Sequence, residues 1–480
     1  MKTRLRSLAV FCAVCLATSA PLFGDHPNIV LILVDDMGYG DANCYNNQSK
    51  IETPHIDRLA QLGMRFTDAH ASGPLCHVSR YGLLTGQYPF RANPGAWGKR
   101  PTIAESRMTI GSLLQDVGYR TAMVGKWHLG FDQSAGYEKP WPGGPVDRGF
   151  DSFFGIRAST DIPPYFYIRD RNAVQPPTLE IPARSTEGWS PIQGEFWRAG
   201  KIAKGLELKD VLPTFTQEAI AVIDQHTKSE TSKPLFLYLA YPAPHTPWLP
   251  SKPFQGSSKA GMYGDFAQMV DQQIGSVIGK LEETDLLKNT LVIFTSDNGP
   301  VWYEQDVDKF GHDSSGGLKG MKGDAWEAGH RMPFIVRWDQ TVEQGAVCDQ
   351  LISFVDVLAT FADVVETSLP ADQGPDSFSF LPLLKGSQQP TRKELALKAG
   401  RAMTYRIGDM KYIDTLGSAG FSKPRRVPIG DDGVSGQLYD LNDDPGESKN
   451  LFAEQQELVK VFENKIEAVL NKPHRSLVEE

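Results

Sequence analysis

Residues 28–36 read NIVLILVDD, an uninterrupted apolar run from Ile29 to Val34 that ends in Asp35 and Asp36. A continuous apolar run of this length predicts a strand that is buried on both faces, as in a parallel sheet covered by helices. The abrupt change to acidic residues places two carboxylates at the carboxyl end of that strand. In open α/β sheets, ligands gather at this edge.

Three further apolar runs end in polar or ionisable residues. They are residues 119–124 before Lys126 and His128, 235–240 before His245, and 291–295 before Asp297 and Asn298. Amphipathic segments at 56–62, 110–117 and 266–281 predict helices between the strands. We therefore expect an α/β fold with a large central, mostly parallel sheet flanked by helices, in which these polar side chains meet at one edge.

The alternation weakens after about residue 384. Beyond it, the segments 401–415 and 436–451 predict short strands separated by turns, and 455–470 predicts a final helix. We expect a main domain over residues 25–388. A C-terminal subdomain over 389–480 would contain a smaller antiparallel sheet and the terminal helix.

Residues 1–24 have the pattern of a secretory signal peptide, with basic residues first, then an apolar stretch, then small residues. The apolar stretch is shorter than the roughly 20 residues that a membrane-spanning helix requires. We therefore predict export to the periplasm or the medium, without stable membrane insertion. Removal of this segment leaves Cys44, Cys76 and Cys348, so at least one thiol is either buried or used for chemistry. The formal net charge of −9 gives no electrostatic attraction to nucleic acid.

The strand ends supply candidate metal ligands. Asp35, Asp36, Asp297 and Asn298 offer four oxygen-bearing side chains from two strands. Hard divalent cations take oxygen ligands, whereas clustered carboxylates without a cation repel one another. A calcium site is the favoured interpretation, magnesium is less favoured, and no histidine pair with zinc spacing lies nearby. Two ordinary strand-end turns remain the alternative.

Cys76 lies in the glycine-bracketed stretch GPLCHVSRYGLLTG, residues 73–86. This stretch predicts a turn entering a helix, with Cys76 among free backbone N–H groups that favour negative charge. Arg80 follows one helical turn later on the same face. A guanidinium beside a nucleophile suits a substrate with a tetrahedral oxyanion. A buried, inert cysteine is the alternative.

Further candidates are cationic or proton-transferring residues. Lys126, His128 and His245 follow strands, and the glycine-rich stretch GGLKGMKGDAWEAGHRMP carries Lys319, Lys322 and His330. Histidine exchanges protons near neutral pH, and lysines in a flexible loop suit an anion. Structural histidines and solvated lysines are the corresponding alternatives.

Taken together, these motifs resemble those of the type I sulfatases of the alkaline phosphatase-like superfamily. The segments NIVLILVDDMGYGD, CHVSRYGLLTG, GYRTAMVGKWHLG, PHTPW, TSDNGP and MKGDAWEAGHRMPFIVRW follow the family's order, and the resemblance covers nearly the whole chain after residue 24. It implies an alkaline phosphatase-like fold in which residues 25–388 form the catalytic domain. It also implies hydrolysis of a sulfate ester.

The resemblance further implies a role for each matched residue. Cys76 would be oxidised by a formylglycine-generating maturation enzyme, and the hydrated aldehyde would attack sulfur. Asp35, Asp36, Asp297 and Asn298, together with residue 76, would hold calcium, and Arg80 would hold the hydrate. Lys126, His245 and Lys322 would contact the sulfate group, and His128 would take the proton that releases sulfate from the second hydroxyl of the hydrate.

Two positions depart from the family's pattern. Val78 stands where the family's Cys-x-Pro-x-Arg motif has proline, and Ala328 replaces a glycine. The second change is small, but the first bears on conversion of Cys76. A non-catalytic protein that binds sulfated glycans therefore stays an alternative, as does a phosphatase or phosphodiesterase of the same superfamily.

The alcohol portion of the substrate is less well defined by the sequence. We expect a sulfated carbohydrate, because export and aromatic loop residues suit sugar rings. Candidate pocket residues are His77, Trp97, Arg100, Tyr165, Trp302, His312 and His330.

Overall fold

The computed structural model describes residues 26–92, 100–229, 232–431 and 433–471. Its strands are β1 Asn28–Asp35, β2 Met64–Phe66, β3 Ala69–His70, β4 Arg120–Lys126, β5 Ser152–Ile156, β6 Ile168–Arg169, β7 Asn172–Ala173, β8 Pro177–Ile181, β9 Gly200–Ala203, β10 Leu235–Pro244, β11 Thr290–Ser296, β12 Phe334–Arg337, β13 Ala346–Cys348, β14 Ile352–Ser353, β15 Glu394–Ala399, β16 Ala402–Ile407, β17 Met410–Ile413 and β18 Gln437–Asp440. The α-helices are α1 Pro54–Gln61, α2 Cys76–Thr85, α3 Ile110–Asp116, α4 Val211–Thr227, α5 Gly261–Glu283, α6 Glu304–Phe310, α7 Asp356–Val364, α8 Leu381–Leu384 and α9 Gln456–Asn471.

A central sheet of ten strands organises the structure, in the order β13-β2-β12-β11-β1-β10-β4-β5-β6-β7. From β11 through β1, β10 and β4 to β5, every neighbouring pair is parallel. Antiparallel pairing begins outside this block, at β12 on one side and at β6 on the other. The α/β prediction is confirmed, and the parallel block contains the strands predicted from the four apolar runs.

Strand β1 explains why the opening apolar run is continuous. Ile29, Leu31 and Leu33 pack into one hydrophobic core, while the alternate residues, from Val30 to Val34, pack into a second core on the other face. The side chains alternate between the two faces of the sheet, and both faces are covered by helices. All six apolar residues of the run are fully buried, and each contributes about 1.5–3 kcal/mol of hydrophobic stabilisation.

The C-terminal part forms the predicted small antiparallel sheet, in the order β15-β16-β17-β18. Helix α9 packs on it through Val459, Phe462 and Ile466, and the Phe462 ring stacks on Tyr412 with centroids 5.8 Å apart. The predicted small antiparallel sheet is thus confirmed. The boundary at residues 388 and 389 stays a prediction, since β15 begins at Glu394.

The predicted signal peptide and Trp97 lie outside the described residues. Within the described ranges, no helix combines the length and the apolar character needed to cross a membrane.

Candidate active site

The carboxyl ends of the parallel strands bring the predicted residues to one place. Strand β1 delivers Asp35 and Asp36, and β11 runs parallel beside it with Val34 opposite Ser296. This register sets Asp297 next to the aspartates, and the backbone N–H of Asp36 donates to Asp297 Oδ1 at 3.3 Å. Strand β4 ends at Lys126 on the other side of β10.

Cys76 is the first residue of α2 and is buried. Its Sγ lies 3.4 Å from Asp35 Oδ1, and Lys322 Nζ lies 3.3 Å from Sγ. Burial raises the pKa of the thiol, and the nearby Asp35 carboxylate raises it further. The unmodified side chain is therefore a protonated thiol, which is a weak nucleophile compared with a thiolate.

Val78 occupies the first turn of α2, where the first N–H to bond within the helix is that of Ser79, donating to the Leu75 carbonyl at 3.0 Å. A proline tolerates this turn because its missing N–H has no helical partner there. A proline in place of Val78 would therefore remove no hydrogen bond of the helix.

Arg80 is held rigidly one turn after Cys76. Its Nε and Nη2 lie 3.0 and 2.8 Å from Asp297 Oδ2, and Nη1 donates to the Lys126 carbonyl at 2.9 Å. The side chain is fully buried. Such a fixed guanidinium is preorganised to donate to oxygen atoms at position 76.

Two lysines face the aspartates. Lys126 Nζ donates to Asp35 Oδ2 and Lys322 Nζ donates to Asp36 Oδ1, both at 2.5 Å. Burial alone would raise the pKa of Asp35, but Lys126 and the other cations hold it well below its usual range. Burial alone would lower the pKa of Lys322, but Asp36 holds it well above its usual range. Asp35 and Lys322 are therefore charged.

Asn298 has unused hydrogen-bonding capacity. Its Nδ2 donates to Asp36 Oδ1 at 2.7 Å and to the Gly299 carbonyl at 2.9 Å. Its Oδ1 is buried and has no hydrogen-bond partner among the described residues. A buried oxygen without a partner is rare and is expected to have a bound water or ion.

The potential metal-ligand atoms around Asn298 fit a hard cation. Ligand atoms of Asp35, Asp36, Cys76 and His245 lie within 4.8 Å of one another. Burial raises the pKa of Asp297 to about 6, and the Asp35 carboxylate contributes to the rise. A cation relieves this repulsion between carboxylates, and the oxygen-rich set suits calcium or magnesium.

His77 directly follows Cys76 in the chain, and its ring centroid lies 6.2 Å from that of His128. Burial lowers the pKa of His128 well below its usual value, and Lys126 lowers it further. The same causes lower the pKa of His77 to about 4. Both rings are therefore neutral at physiological pH, and a neutral imidazole accepts a proton.

His245 opens onto a cavity of about 130 Å³. Its Nδ1 lies 2.7 Å from the Thr246 carbonyl, and since a carbonyl only accepts, Nδ1 carries a hydrogen. Its Nε2 lies 3.7 Å from Asp36 Oδ2. The residues lining the cavity are Asp36, Asp161, Ile192, Phe196, Arg198, Pro244, His245, Thr246, Trp248, Tyr263, Val301, Lys322 and Phe421.

Other predicted pocket residues have different surroundings. His312 Nε2 lies 2.9 Å from Asp41 Oδ1, and His330 Nδ1 lies 2.9 Å from His70 Nδ1. The Trp302 indole donates to the His312 carbonyl, and the Tyr165 hydroxyl donates to the carbonyls of Asp161 and Arg198. None of these four lines the cavity, and Arg100 is exposed outside it.

Asp161, Arg198 and Phe421 are among the cavity residues that sequence reasoning missed. Asp161 follows β5, but several residues separate it from the strand end, so it lacks the abrupt apolar-to-polar change that identified the other positions. Arg198 and Phe421 lie in irregular segments without a local motif.

The profile of the Sulfatase family matches residues 27–367. An N-acetylgalactosamine-6-O-sulfatase from Bacteroides thetaiotaomicron is 33% identical over 482 aligned residues, which cover 92% of this chain and 93% of the relative. The chain belongs to the sulfatase family. The steryl-sulfatase of Homo sapiens is 30% identical to it, over 85% of this sulfatase and 78% of the relative.

Solved structures confirm the alkaline phosphatase-like fold of this sulfatase. A structure from work on glycosaminoglycan metabolism by Bacteroides thetaiotaomicron has a TM-score of 0.82 and 31% identity, covering 93% of this chain and all of that chain. A Pseudoalteromonas sulfatase has a TM-score of 0.73 at 23% identity, covering 95% and 92% of the two chains, and supports the fold alone.

Proposed function

We propose that this sulfatase removes sulfate from a carbohydrate ester and that its nucleophile derives from Cys76. The arrangement around Cys76 carries the proposal: Sγ lies between the Asp35 carboxylate and the Lys322 ammonium, and Arg80 is fixed one helical turn away. A raised thiol pKa does not suit a cysteine nucleophile. Conversion of the thiol by a maturation enzyme to formylglycine, which is hydrated to a diol, supplies an oxygen nucleophile at the same place.

Asp35, Asp36, Asp297 and Asn298, with residue 76, would hold calcium. When bound, the ion supplies Lewis-acid stabilisation of negative charge on oxygen. The unpartnered Oδ1 of Asn298 supports this assignment.

The chain's own cations would orient and stabilise the sulfate group. Lys126 presents its ammonium group at Asp35, and Lys322 presents its own at Asp36. Preorganised donors that meet charge developing in the transition state are among the largest contributors to catalysis. We propose that these lysines bind the sulfuryl oxygens while Arg80 fixes residue 76.

Two histidines would move protons. Neutral His128 would accept a proton from residue 76. The hydrogen bond to Thr246 keeps Nδ1 of His245 protonated and leaves Nε2 turned toward Asp36 and the cavity. Protonated at Nε2, His245 would give that proton to the departing alcohol.

A carbohydrate is the proposed alcohol because the most informative bacterial relative acts on an N-acetylgalactosamine 6-sulfate group, as its name states. The aromatic rings of Phe196, Trp248 and Phe421 line the cavity beside His245. Aromatic rings present apolar faces against which sugar rings pack.

Initial rates with 4-nitrophenyl sulfate and 4-nitrophenyl phosphate test the reaction class. Protein confirmed to carry formylglycine is expected to hydrolyse the sulfate faster. Faster hydrolysis of the phosphate would contradict the proposal. Failure to hydrolyse either aryl ester or any member of a panel of sulfated sugars would favour a non-catalytic binder.

A further inference from the structure

Asp161 and Arg198 form a charged pair in the wall of the cavity beside His245. Arg198 Nη1 donates to Asp161 Oδ2. The backbone of Asp161 is also fixed, because its carbonyl accepts hydrogen bonds from the Tyr165 hydroxyl at 3.0 Å and from the Arg198 N–H at 3.2 Å. The Asp161 carboxylate therefore has a defined position in the wall.

The second carboxylate oxygen of Asp161 is unused. Oδ1 is buried and has no hydrogen-bond partner among the residues that the structure describes. His245 Nδ1 lies 4.0 Å from Oδ1, and that nitrogen bonds the Thr246 carbonyl instead. A buried acceptor without a donor is destabilising, and a ligand that donates a hydrogen bond to it removes this cost.

Arg198 can bind the same group as Asp161. Its guanidinium lies over the Phe196 ring, with the central carbon 5.0 Å from the ring centroid, and half of its side chain is exposed. A guanidinium carries five N–H donors, and only part of them face Asp161. A hydroxyl group, which both donates and accepts, satisfies the carboxylate and the guanidinium together.

The dimensions place that hydroxyl close to the sulfate ester. The cavity of about 130 Å³ also includes Asp36, His245 and Lys322. Asp161 and Lys322 line the same small cavity, so one bound molecule can place a hydroxyl at Asp161 and its sulfate group at Lys322.

We propose that Asp161 and Arg198 determine specificity by binding a free hydroxyl on the sugar residue that carries the sulfate. This inference rests on the proposed function and deepens it. The pair distinguishes a polyhydroxylated alcohol from a flat aryl alcohol, since without a hydroxyl the polar groups of the pair stay unpaired.

The test compares Asp161→Asn with the unchanged enzyme on N-acetylgalactosamine 6-sulfate, N-acetylglucosamine 6-sulfate and 4-nitrophenyl sulfate. We expect kcat/KM on the faster sugar to fall about 100-fold and on the aryl ester to change less than about threefold. Glu195→Gln is the matched control, because Glu195 pairs with Arg184 and neither residue lines the cavity. It should change neither rate.

Deoxy analogues of the same sugar make the result independent of folding of the variant. The unchanged enzyme should lose about 100-fold in kcat/KM on the one analogue that lacks the recognised hydroxyl. Asp161→Asn should lose this discrimination. Equal losses on sugar and aryl esters would overturn the inference and indicate that Asp161 acts through His245.

Turnover of the aryl ester with no turnover of either sugar would also overturn it. Absence of turnover of every sulfate ester by formylglycine-containing protein would instead count against the proposed function. The two failures are therefore distinguishable.

Discussion

Two buried clusters of charged residues in this sulfatase contain metal-ligand types, yet their surroundings differ. The strand-end cluster consists of Asp35, Asp36, Cys76, Lys126, Asp297, Asn298 and Lys322. The junction cluster consists of Asp68, His70, Glu327, His330, Arg406, Lys411 and Glu447, and joins the main sheet region to strands β16 and β17. In each cluster, at least three potential ligand atoms lie within 4.8 Å of one another.

The carboxylates of the junction cluster form ion pairs with cations of the same cluster. Lys411 Nζ lies 2.9 Å from Glu327 Oε1 and from Glu447 Oε1, and Arg406 Nη1 donates to Asp68 Oδ1 at 2.7 Å. Burial would raise the pKa of Glu327, but Lys411 holds it well below its usual range. Glu327 is thus paired with an ammonium group, as Asp35 and Asp36 are in the strand-end cluster.

The two histidine rings of the junction cluster are also satisfied. His70 Nε2 donates to Asp68 Oδ1 at 2.9 Å, and burial lowers the pKa of both rings. His70 Nδ1 is then an acceptor for His330 Nδ1–H at 2.9 Å. His330 Nε2 in turn lies 3.4 Å from Lys411 Nζ, which donates to it.

The strand-end cluster differs because it has an unpartnered amide oxygen and because Asp36 and Lys322 line a cavity. Proximity of ligand-type residues is therefore not sufficient to identify a site. Unused bonding capacity next to an open cavity is the distinguishing feature. The comparison predicts that the strand-end cluster controls activity and metal binding, and that the junction cluster controls stability.

The largest expected effect is on activity. Cys76→Ala should reduce the rate of 4-nitrophenyl sulfate hydrolysis by at least about 1,000-fold, because the nucleophile is removed. The melting temperature should change little. Cys44→Ala is the control. Its activity should stay within about twofold of that of the unchanged protein, since Cys44 lies outside the strand-end cluster. Comparable activity in Cys76→Ala would break the comparison.

The next largest effect is on stability. Lys411→Met leaves Glu327 and Glu447 buried without their cation, and loss of one partner from a buried charge pair costs about 3–5 kcal/mol. Urea denaturation should show this fall in the free energy of unfolding, with turnover per folded molecule within about threefold. Lys460→Met removes the exposed pair with Glu457 and should cost less than about 1 kcal/mol. A stable but inactive Lys411→Met protein would contradict the assignment.

Substitutions in the two clusters should also differ in their effect on calcium affinity, by a smaller factor than in the two preceding comparisons. Asn298→Ala should raise the calcium concentration that gives half of the full thermal stabilisation by about 10–100-fold, because an oxygen ligand is lost. His330→Ala in the junction cluster should leave that concentration unchanged. A larger shift in His330→Ala than in Asn298→Ala would reverse the comparison.

The smallest expected effect is the pH dependence of calcium binding. Burial raises the pKa of Asp297 to about 6 in the metal-free protein, so below that pH a proton competes with the ion. The half-saturating calcium concentration should therefore rise about tenfold for each pH unit below about 6. Asp297→Asn should bind more weakly but with a flatter pH profile. A flat profile in the unchanged protein would contradict this assignment.

The sequence predicted the strand-end cluster because its information is local. Each buried strand ends at a fixed residue, and parallel strands bring their carboxyl ends together whatever the intervening loops are. Asp35, Lys126 and Asp297 follow from this rule alone. Their hydrogen-bond partners follow from the strand order, which the sequence does not specify.

The surroundings of His312 and His330 were not predictable in the same way. His330 meets His70 across 260 residues, and His312 meets Asp41 across 271. Neither contact leaves a local pattern, so a histidine near a glycine-rich loop was indistinguishable from a ligand. Asp161 and Arg198 were missed for the same reason, since irregular chain positions them in the cavity wall.

The mass of the tryptic peptide 66–80, from protein co-expressed with a formylglycine-generating enzyme, tests the central claim most directly. We predict that the thiol of Cys76 is replaced by an aldehyde that reacts with a hydrazide, because the buried, protonated thiol is itself a weak nucleophile. A free thiol in protein that nevertheless hydrolyses sulfate esters would contradict the account, because the nucleophile would then lie elsewhere.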